Sequence, residues 1–166
     1  MKLIGAILCA VAWVAVGMKY YGNEKKRLAA LTSLSQAFSM MRSELELSLA
    51  PLPELLEIPA EGYAAVFLEN MSTGMEHIGE TELSQIWSKA LEDCPPLLNG
   101  DEKRIIKALG AVLGRATLDT QLQALSDAST RLLMRAEELR QKLPTARKLS
   151  FGLSAAFGLL TAILLM

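Results

Sequence analysis

Uncharged apolar residues fill both ends of the chain. Residues 3–18 read LIGAILCAVAWVAVGM and residues 149–166 read LSFGLSAAFGLLTAILLM. At the usual helical rise the second segment is about 27 Å long, close to the hydrocarbon thickness of a bilayer. The first segment fits either a secretory signal peptide or a retained anchor. The pattern predicts transmembrane helices over residues 1–20 and 148–166, with one domain between them over residues 21–147.

Positive charges border both apolar segments on the side of the central domain. They are Lys19, Lys25, Lys26 and Arg27 after the first segment, and Arg140, Lys142, Arg147 and Lys148 before the second. Clustered Lys and Arg resist translocation, so they favour a retained anchor and predict a cytoplasmic central domain.

Leucines recur at three- and four-residue steps through the first part of the central domain. This stripe predicts a helix from about residue 24 to 49 that continues from the first apolar segment and ends before Pro51 and Pro53. The stripe consists of Leu28, Leu31, Leu34, Phe38, Met41, Leu45 and Leu49.

Shorter apolar patterns follow. Tyr63, Val66, Phe67 and Met71 predict a second helix, and Gly74 and Gly79 predict a loop around the single histidine, His77. A third helix is predicted from Thr81 as N-cap to a stop before Pro95, with one apolar face. That face consists of Leu83, Ile86, Trp87, Ala90 and Leu91.

The last part of the domain carries the clearest capping and heptad signals. Asn99 and Glu102 have the spacing of a capping box, and Gly114 marks the end of the helix that follows. The next apolar positions, with Ser129 and Ala136 among the leucines, alternate four- and three-residue steps, as in a coiled coil, and need a partner helix in the same domain or in another subunit. This candidate helix seam comprises Leu118, Leu122, Leu125, Leu132, Leu139 and Leu143.

Composition supports an all-α fold. Of the 166 residues 51% are hydrophobic but only 5% are aromatic, a balance typical of Ala- and Leu-rich helices. The net charge of −1 argues against a nucleic-acid binder. The stretch between Arg42 and Lys89 has many glutamates and no Lys or Arg. Such a run is either a solvated surface or a docking surface for a basic partner.

No arrangement of residues predicts catalysis, a metal site or a cofactor. His77 has no second histidine to share a metal, and Cys9 and Cys94 fall on different predicted segments. The Gly110 to Arg115 stretch is one residue short of a phosphate loop and lacks its lysine, so close helix packing explains its glycines better. We expect no enzyme, no cofactor and no small-molecule substrate.

Several short motifs together resemble one family. Arg42-Ser43-Glu44-Leu45 precedes Pro51-Leu52-Pro53-Glu54, followed by Trp87-Ser88-Lys89-Ala90-Leu91, Leu109-Gly110, Leu113-Gly114-Arg115 with Gln121, and Lys148-Leu149. In this order the motifs resemble stage III sporulation protein AB, a family related to the cytoplasmic domains of type II secretion inner-membrane platform proteins. The departures are Ala50, Thr117 and Ser154, where the family usually has Thr, Asp and Gly.

The resemblance implies a cytoplasmic helical bundle, like that of a type II secretion platform, flanked by the two transmembrane helices. It also implies a component of the channel or secretion-like complex between mother cell and forespore, in the mother-cell membrane around the forespore. The implied partners are a secretion-type ATPase, stage III sporulation protein AA, and other proteins of the same operon. By this analogy the candidate partner interface is Glu44, Pro51, Pro53 and Glu54. Glu44 could instead brace a neighbouring helix, and the chain could instead be a self-associating structural membrane adaptor that meets no ATPase.

Overall fold

A computed structural model describes the backbone of residues 2–49, 51–76 and 81–165, and the side chains of residues 19, 21–49, 51–76 and 81–144. Every element in these ranges is an α-helix, which confirms the all-α prediction. The helices are α1 (Lys2–Ser48), α2 (Leu52–Leu55), α3 (Gly62–Met75), α4 (Leu83–Glu92), α5 (Gly100–Val112) and α6 (Leu118–Leu165).

The chain divides into two compact units. One is Arg27–Ala136, and the other combines Met1–Lys26 with Glu137–Met166. The side chains of both predicted transmembrane segments lie almost entirely outside the described residues. Within the described part of the chain, no helix is both long and apolar enough to cross a bilayer. The transmembrane segments and their boundaries at residues 20 and 148 stay predictions.

The predicted stripe on α1 forms one wall of the core in Arg27–Ala136. Leu31, Leu34, Phe38 and Met41 are fully buried, because residues three and four apart share one face of a helix. The exceptions are Leu28, which is half-buried, and Leu49, which lies beyond the helix end and is exposed. The other walls come from α3, α4, α5 and α6, through Phe67, Met71, Trp87, Leu91, Ile106, Leu109, Leu125 and Leu132.

The structure corrects three local predictions. Gly74 lies inside α3 and not in a loop. Its role is close packing, because a Cβ on residue 74 would lie 2.5 Å from Cγ2 of Ile86. The N-cap of α4 is Glu82 and not Thr81, and it makes no side-chain capping bond. Val66, predicted on the apolar face, is exposed. The loop residues His77 and Gly79 lie outside the described residues.

Three other predictions are confirmed. Asn99 caps α5 by accepting a hydrogen bond from the Glu102 backbone, and the Glu102 side chain bonds back to the Asn99 N–H. Gly114 follows the α5 C-cap with a φ of 76°, the left-handed conformation that glycine adopts most easily. α4 ends at Glu92, before Pro95. The short helix α2 was not predicted.

Candidate partner interface

Three aromatic rings fix α1, α3 and α4 against one another. Phe38 stacks on Trp87 with ring centroids 6.3 Å apart. Phe67 meets Trp87 edge to face at 5.1 Å and Phe38 at 6.4 Å. Such offset and edge-to-face pairs add stabilisation to the apolar area they bury. The Trp87 indole donates a 2.8 Å hydrogen bond to the Ile106 carbonyl, so the ring also holds α5.

Gly110 is the place where α5 comes close to Trp87. A Cβ at this position would lie 2.3 Å from Trp87 Cγ and 2.4 Å from Cδ1. The absent side chain therefore makes room for the indole ring, which accounts for two of the motifs behind the family resemblance. The interpretation of this glycine as a helix-packing residue is confirmed.

A buried ion pair joins α1 to α5. Glu102 is fully buried, and its carboxylate accepts hydrogen bonds from Arg27 at 2.6 Å (Nη2) and 3.1 Å (Nε). A carboxylate this deep needs such a partner, because an uncompensated buried charge is strongly destabilising. Arg27, predicted as part of a membrane-flanking charge cluster, therefore has its charge balanced inside the bundle.

Ion pairs and amide bonds secure the turns around α5. Arg115 lies 3.0 Å from Glu82, and its hydrogen bond and charge lower the pKa of that carboxyl. Lys107 does the same for Glu92 at 2.8 Å. Gln121 accepts from the Gly114 N–H at 3.3 Å and donates to the Ala116 carbonyl at 2.8 Å, which ties the start of α6 to the end of α5.

The remaining motif residues lie together at one end of α1. We define the α1–α2 tip as Glu44–Leu49 with Pro51–Glu54. Glu44, Pro51, Pro53 and Glu54 are all exposed. Buried leucines beneath them, Leu45, Leu55 and Leu56, attach the tip to the core. Only three residues, 49–51, separate α1 from α2 in the sequence.

Glu44 makes its described contacts within its own helix. The Ser48 hydroxyl donates to Glu44 Oε1 at 2.9 Å and to its backbone carbonyl at 2.7 Å. Nothing in these contacts braces another helix, which was the structural alternative for this residue. One turn away, Arg42 pairs with Glu46 at 3.4 Å.

Sequence patterns missed two apolar residues at the α1–α2 tip. Leu47 is 84% exposed and Leu49 is 64% exposed, more than any other described large hydrophobic side chain. Leu47 lies off the predicted stripe, and this position could have indicated that its side chain is exposed. Leu49 continued the stripe by spacing, so its exposure could not be read from periodicity.

The candidate seam on α6 is partly used inside the chain. Leu125 and Leu132 are fully buried in Arg27–Ala136, and the Ser35 hydroxyl of α1 donates to the Ser129 carbonyl of α6 at 2.9 Å. Leu122 and Leu139 are half-buried and Leu118 is exposed. Leu143 is buried within the other unit. The central seam leucines thus have an intramolecular partner.

A buried polar pair lies between α3 and the end of α4. Tyr63 is buried, and its hydroxyl has no hydrogen-bond partner among the described residues. Burial, together with the neighbouring Cys94, raises the pKa of Tyr63. Burial also raises the pKa of the Cys94 thiol, the direction typical of a structural cysteine. The described side chains include no group of three His, Cys, Asp or Glu that could hold a metal.

Comparison with known proteins identifies the family. Neither curated proteins nor solved structures give a match to this chain. The family model for stage III sporulation protein AB matches residues 2–166. That match spans both units and every motif discussed above. The chain therefore belongs to the stage III sporulation protein AB family and has a role in stage III of sporulation.

Proposed function

We propose that this chain is a non-enzymatic membrane platform of the mother cell to forespore channel, and that its α1–α2 tip contacts a secretion-type ATPase. The central domain faces the cytoplasm of the mother cell, with the apolar ends as anchors in the membrane around the forespore. The ATPase is the product of the same operon, stage III sporulation protein AA.

One observation carries the proposal: the motif residues divide into two sets. One set is structural. Trp87 packs in the aromatic core, Gly110 allows α5 to approach Trp87, and Gln121 bonds the turn between α5 and α6. Glu44, Pro51, Pro53 and Glu54 are exposed and make no described hydrogen bond or ion pair to a helix of the core. Exposed residues in a connection between helices are typical of a binding surface.

Charge supports the same assignment. No Lys or Arg follows Arg42 until Lys89, and Arg42 itself is paired with Glu46. The α1–α2 tip is therefore acidic. A surface of one sign attracts a partner of the other sign and orients it on approach. The acidic tip would repel anionic lipid, so its partner is a protein with basic side chains.

The membrane assignment rests on the uncharged apolar ends and on the lysines beside them. Lys19, Lys25 and Lys26 remain as flanking charges after Arg27 is taken up by Glu102. Lys25 lies 5.2 Å from the centre of the Tyr21 ring, an arrangement compatible with a membrane interface.

Charge reversal tests the ATPase contact. The full chain carrying Glu44→Lys and Glu54→Lys, in membranes, should no longer retain the ATPase in a pull-down, while its helical circular dichroism stays unchanged. The matched control is Glu69→Lys with Asp127→Lys, which makes the same change in net charge at exposed positions on α3 and α6. Undiminished retention by the Glu44 and Glu54 variant would refute the assignment.

The self-associating adaptor remains the second candidate, favoured by exposed Leu133 and Met134 on the outer side of α6. Cross-linking of the full chain in membranes from cells that lack the ATPase tests it. Strong cross-linking that Leu133→Ser abolishes would favour the adaptor over the platform if the unchanged chain also fails to retain the ATPase in the pull-down described above.

A further inference from the structure

The backbone at Leu49 holds an apolar side chain in an unfavourable conformation. Leu49 has a φ of 52°, the left-handed region that glycine and asparagine usually occupy after a helix. Its N–H still bonds to the Leu45 carbonyl at 3.2 Å, and it is the first residue after the end of α1. The sequence thus has leucine where the fold favours glycine, and that leucine is 64% exposed.

Nothing in the described fold uses the Leu49 and Leu47 side chains. Leu47 is 84% exposed. Leu45, two residues earlier, is buried and attaches the helix to the core. Strained backbone that exposes a side chain is most often found at functional sites. Single exposed leucines are ordinary, but two within three residues at a helix end, one of them with a strained backbone, indicate a partner.

The surroundings indicate the chemistry of that partner. Glu44 precedes the two leucines in the sequence and Glu54 follows them, and both are exposed, whereas the carboxylate of Glu46 is paired with Arg42. Exposed leucines with carboxylates close to them in the sequence are complementary to an apolar groove edged by Lys or Arg. Interfaces commonly have this form, with buried anchors in the centre and polar groups at the rim.

We propose that Leu47 and Leu49 are the anchors of the α1–α2 tip, inserted into an apolar groove on the ATPase whose edge is basic. The inference rests on the proposed function and adds to it the residues that retain the partner. The glutamates set the approach, so they govern the association rate and its salt dependence. The leucines are desolvated only in the complex, so they govern dissociation.

Binding kinetics test this division. The full chain in nanodiscs is immobilised and the purified ATPase is passed over it at several salt concentrations. Leu47→Ser with Leu49→Ser should weaken binding by about tenfold or more, almost entirely through faster dissociation, with an unchanged salt slope. Glu44→Lys with Glu54→Lys should slow association and reduce the salt dependence.

The control is Met40→Ser with Val66→Ser, which removes two other exposed apolar side chains, 47% and 38% exposed. It should change binding less than about twofold. Serine variants at 47 and 49 that bind like the unchanged chain would overturn this inference and leave the proposed function standing. If the unchanged chain does not bind the ATPase, both fall. Serine variants that lose self-cross-linking but keep the ATPase would assign the leucines to a second copy and overturn the inference.

Discussion

The core around Trp87 and the α1–α2 tip use the same kinds of residue for opposite purposes. In the core, Phe38, Phe67 and Trp87 are fully buried and each ring contacts the other two. At the tip, two leucines face outward beside carboxylates. A buried side chain is explained by its neighbours in the chain. An exposed leucine in a strained conformation has no such explanation, and that difference separates residues that make the fold from residues that are available to a partner.

The largest effect is expected from Trp87→Ala. The substitution removes the ring that stacks on Phe38 and the hydrogen bond to the Ile106 carbonyl. Deletion of a buried aromatic ring typically costs about 3–5 kcal/mol of the free energy of unfolding. Urea unfolding of the full chain in mild detergent, followed by circular dichroism, measures the loss. The exposed Met40→Ala should change the free energy by less than about 0.5 kcal/mol. Equal effects of the two variants would contradict the comparison.

Gly110→Ala should have the next largest effect. The new methyl group would overlap Trp87, whose Cβ is also only 2.9 Å away, so α4 and α5 would have to separate. Overpacking of this kind costs about 1–3 kcal/mol. Gly100→Ala is the matched control, because a Cβ there meets nothing within 4 Å. A Gly110 variant as stable as the control would mean that the close approach to Trp87 is not required.

Sequence reasoning succeeded where local rules and burial agree. The α1 stripe, the Asn99 to Glu102 capping box and the Gly114 helix end each follow from spacing alone, and the structure has all three. It failed where long-range packing decides. Gly74 was assigned to a loop because glycine usually marks one, but the absent side chain accommodates Ile86 of α4.

The candidate interface shows the same limit. Proline spacing located the turn after α1 correctly, and the acidic run identified Glu44 and Glu54 as surface residues. The pairing of Arg27 with Glu102 could not be predicted, since residues 75 positions apart meet only in the folded chain. Nor could the exposure of Leu49, which depends on its backbone conformation.

Tyr63→Phe tests whether the buried Tyr63 hydroxyl makes the free energy of unfolding depend on pH. The hydroxyl is buried without a described partner, so its removal should leave stability at pH 7 unchanged or raise it by up to about 1 kcal/mol. Burial raises the pKa of Tyr63 in the folded chain, while the unfolded chain ionises near pH 10. The stability of the unchanged chain should therefore fall as pH rises above about 10, since only the unfolded state then releases this proton.

The phenylalanine variant should lose less stability over the same alkaline range. Urea unfolding at pH 7 and at pH 10.5 measures the difference between the two chains. Cys94→Ala, measured in parallel, separates the contribution of the neighbouring thiol, whose pKa is also raised. Parallel curves for the unchanged chain and the Tyr63 variant would show that this hydroxyl does not titrate differently in the two states.

Leu49→Gly should have only a small effect on stability, and its sign is the most informative. Glycine relieves the left-handed strain at this residue, a gain of about 1–2 kcal/mol, but increases the entropy of the unfolded chain, a loss of about 0.4–1 kcal/mol. The urea midpoint should therefore stay the same or rise slightly. The control is Leu45→Ala, four residues earlier on the buried side, which should cost about 2–5 kcal/mol. If Leu49→Gly instead loses more than about 1 kcal/mol, its side chain is held by packing, and the α1–α2 tip belongs with the core rather than with a partner.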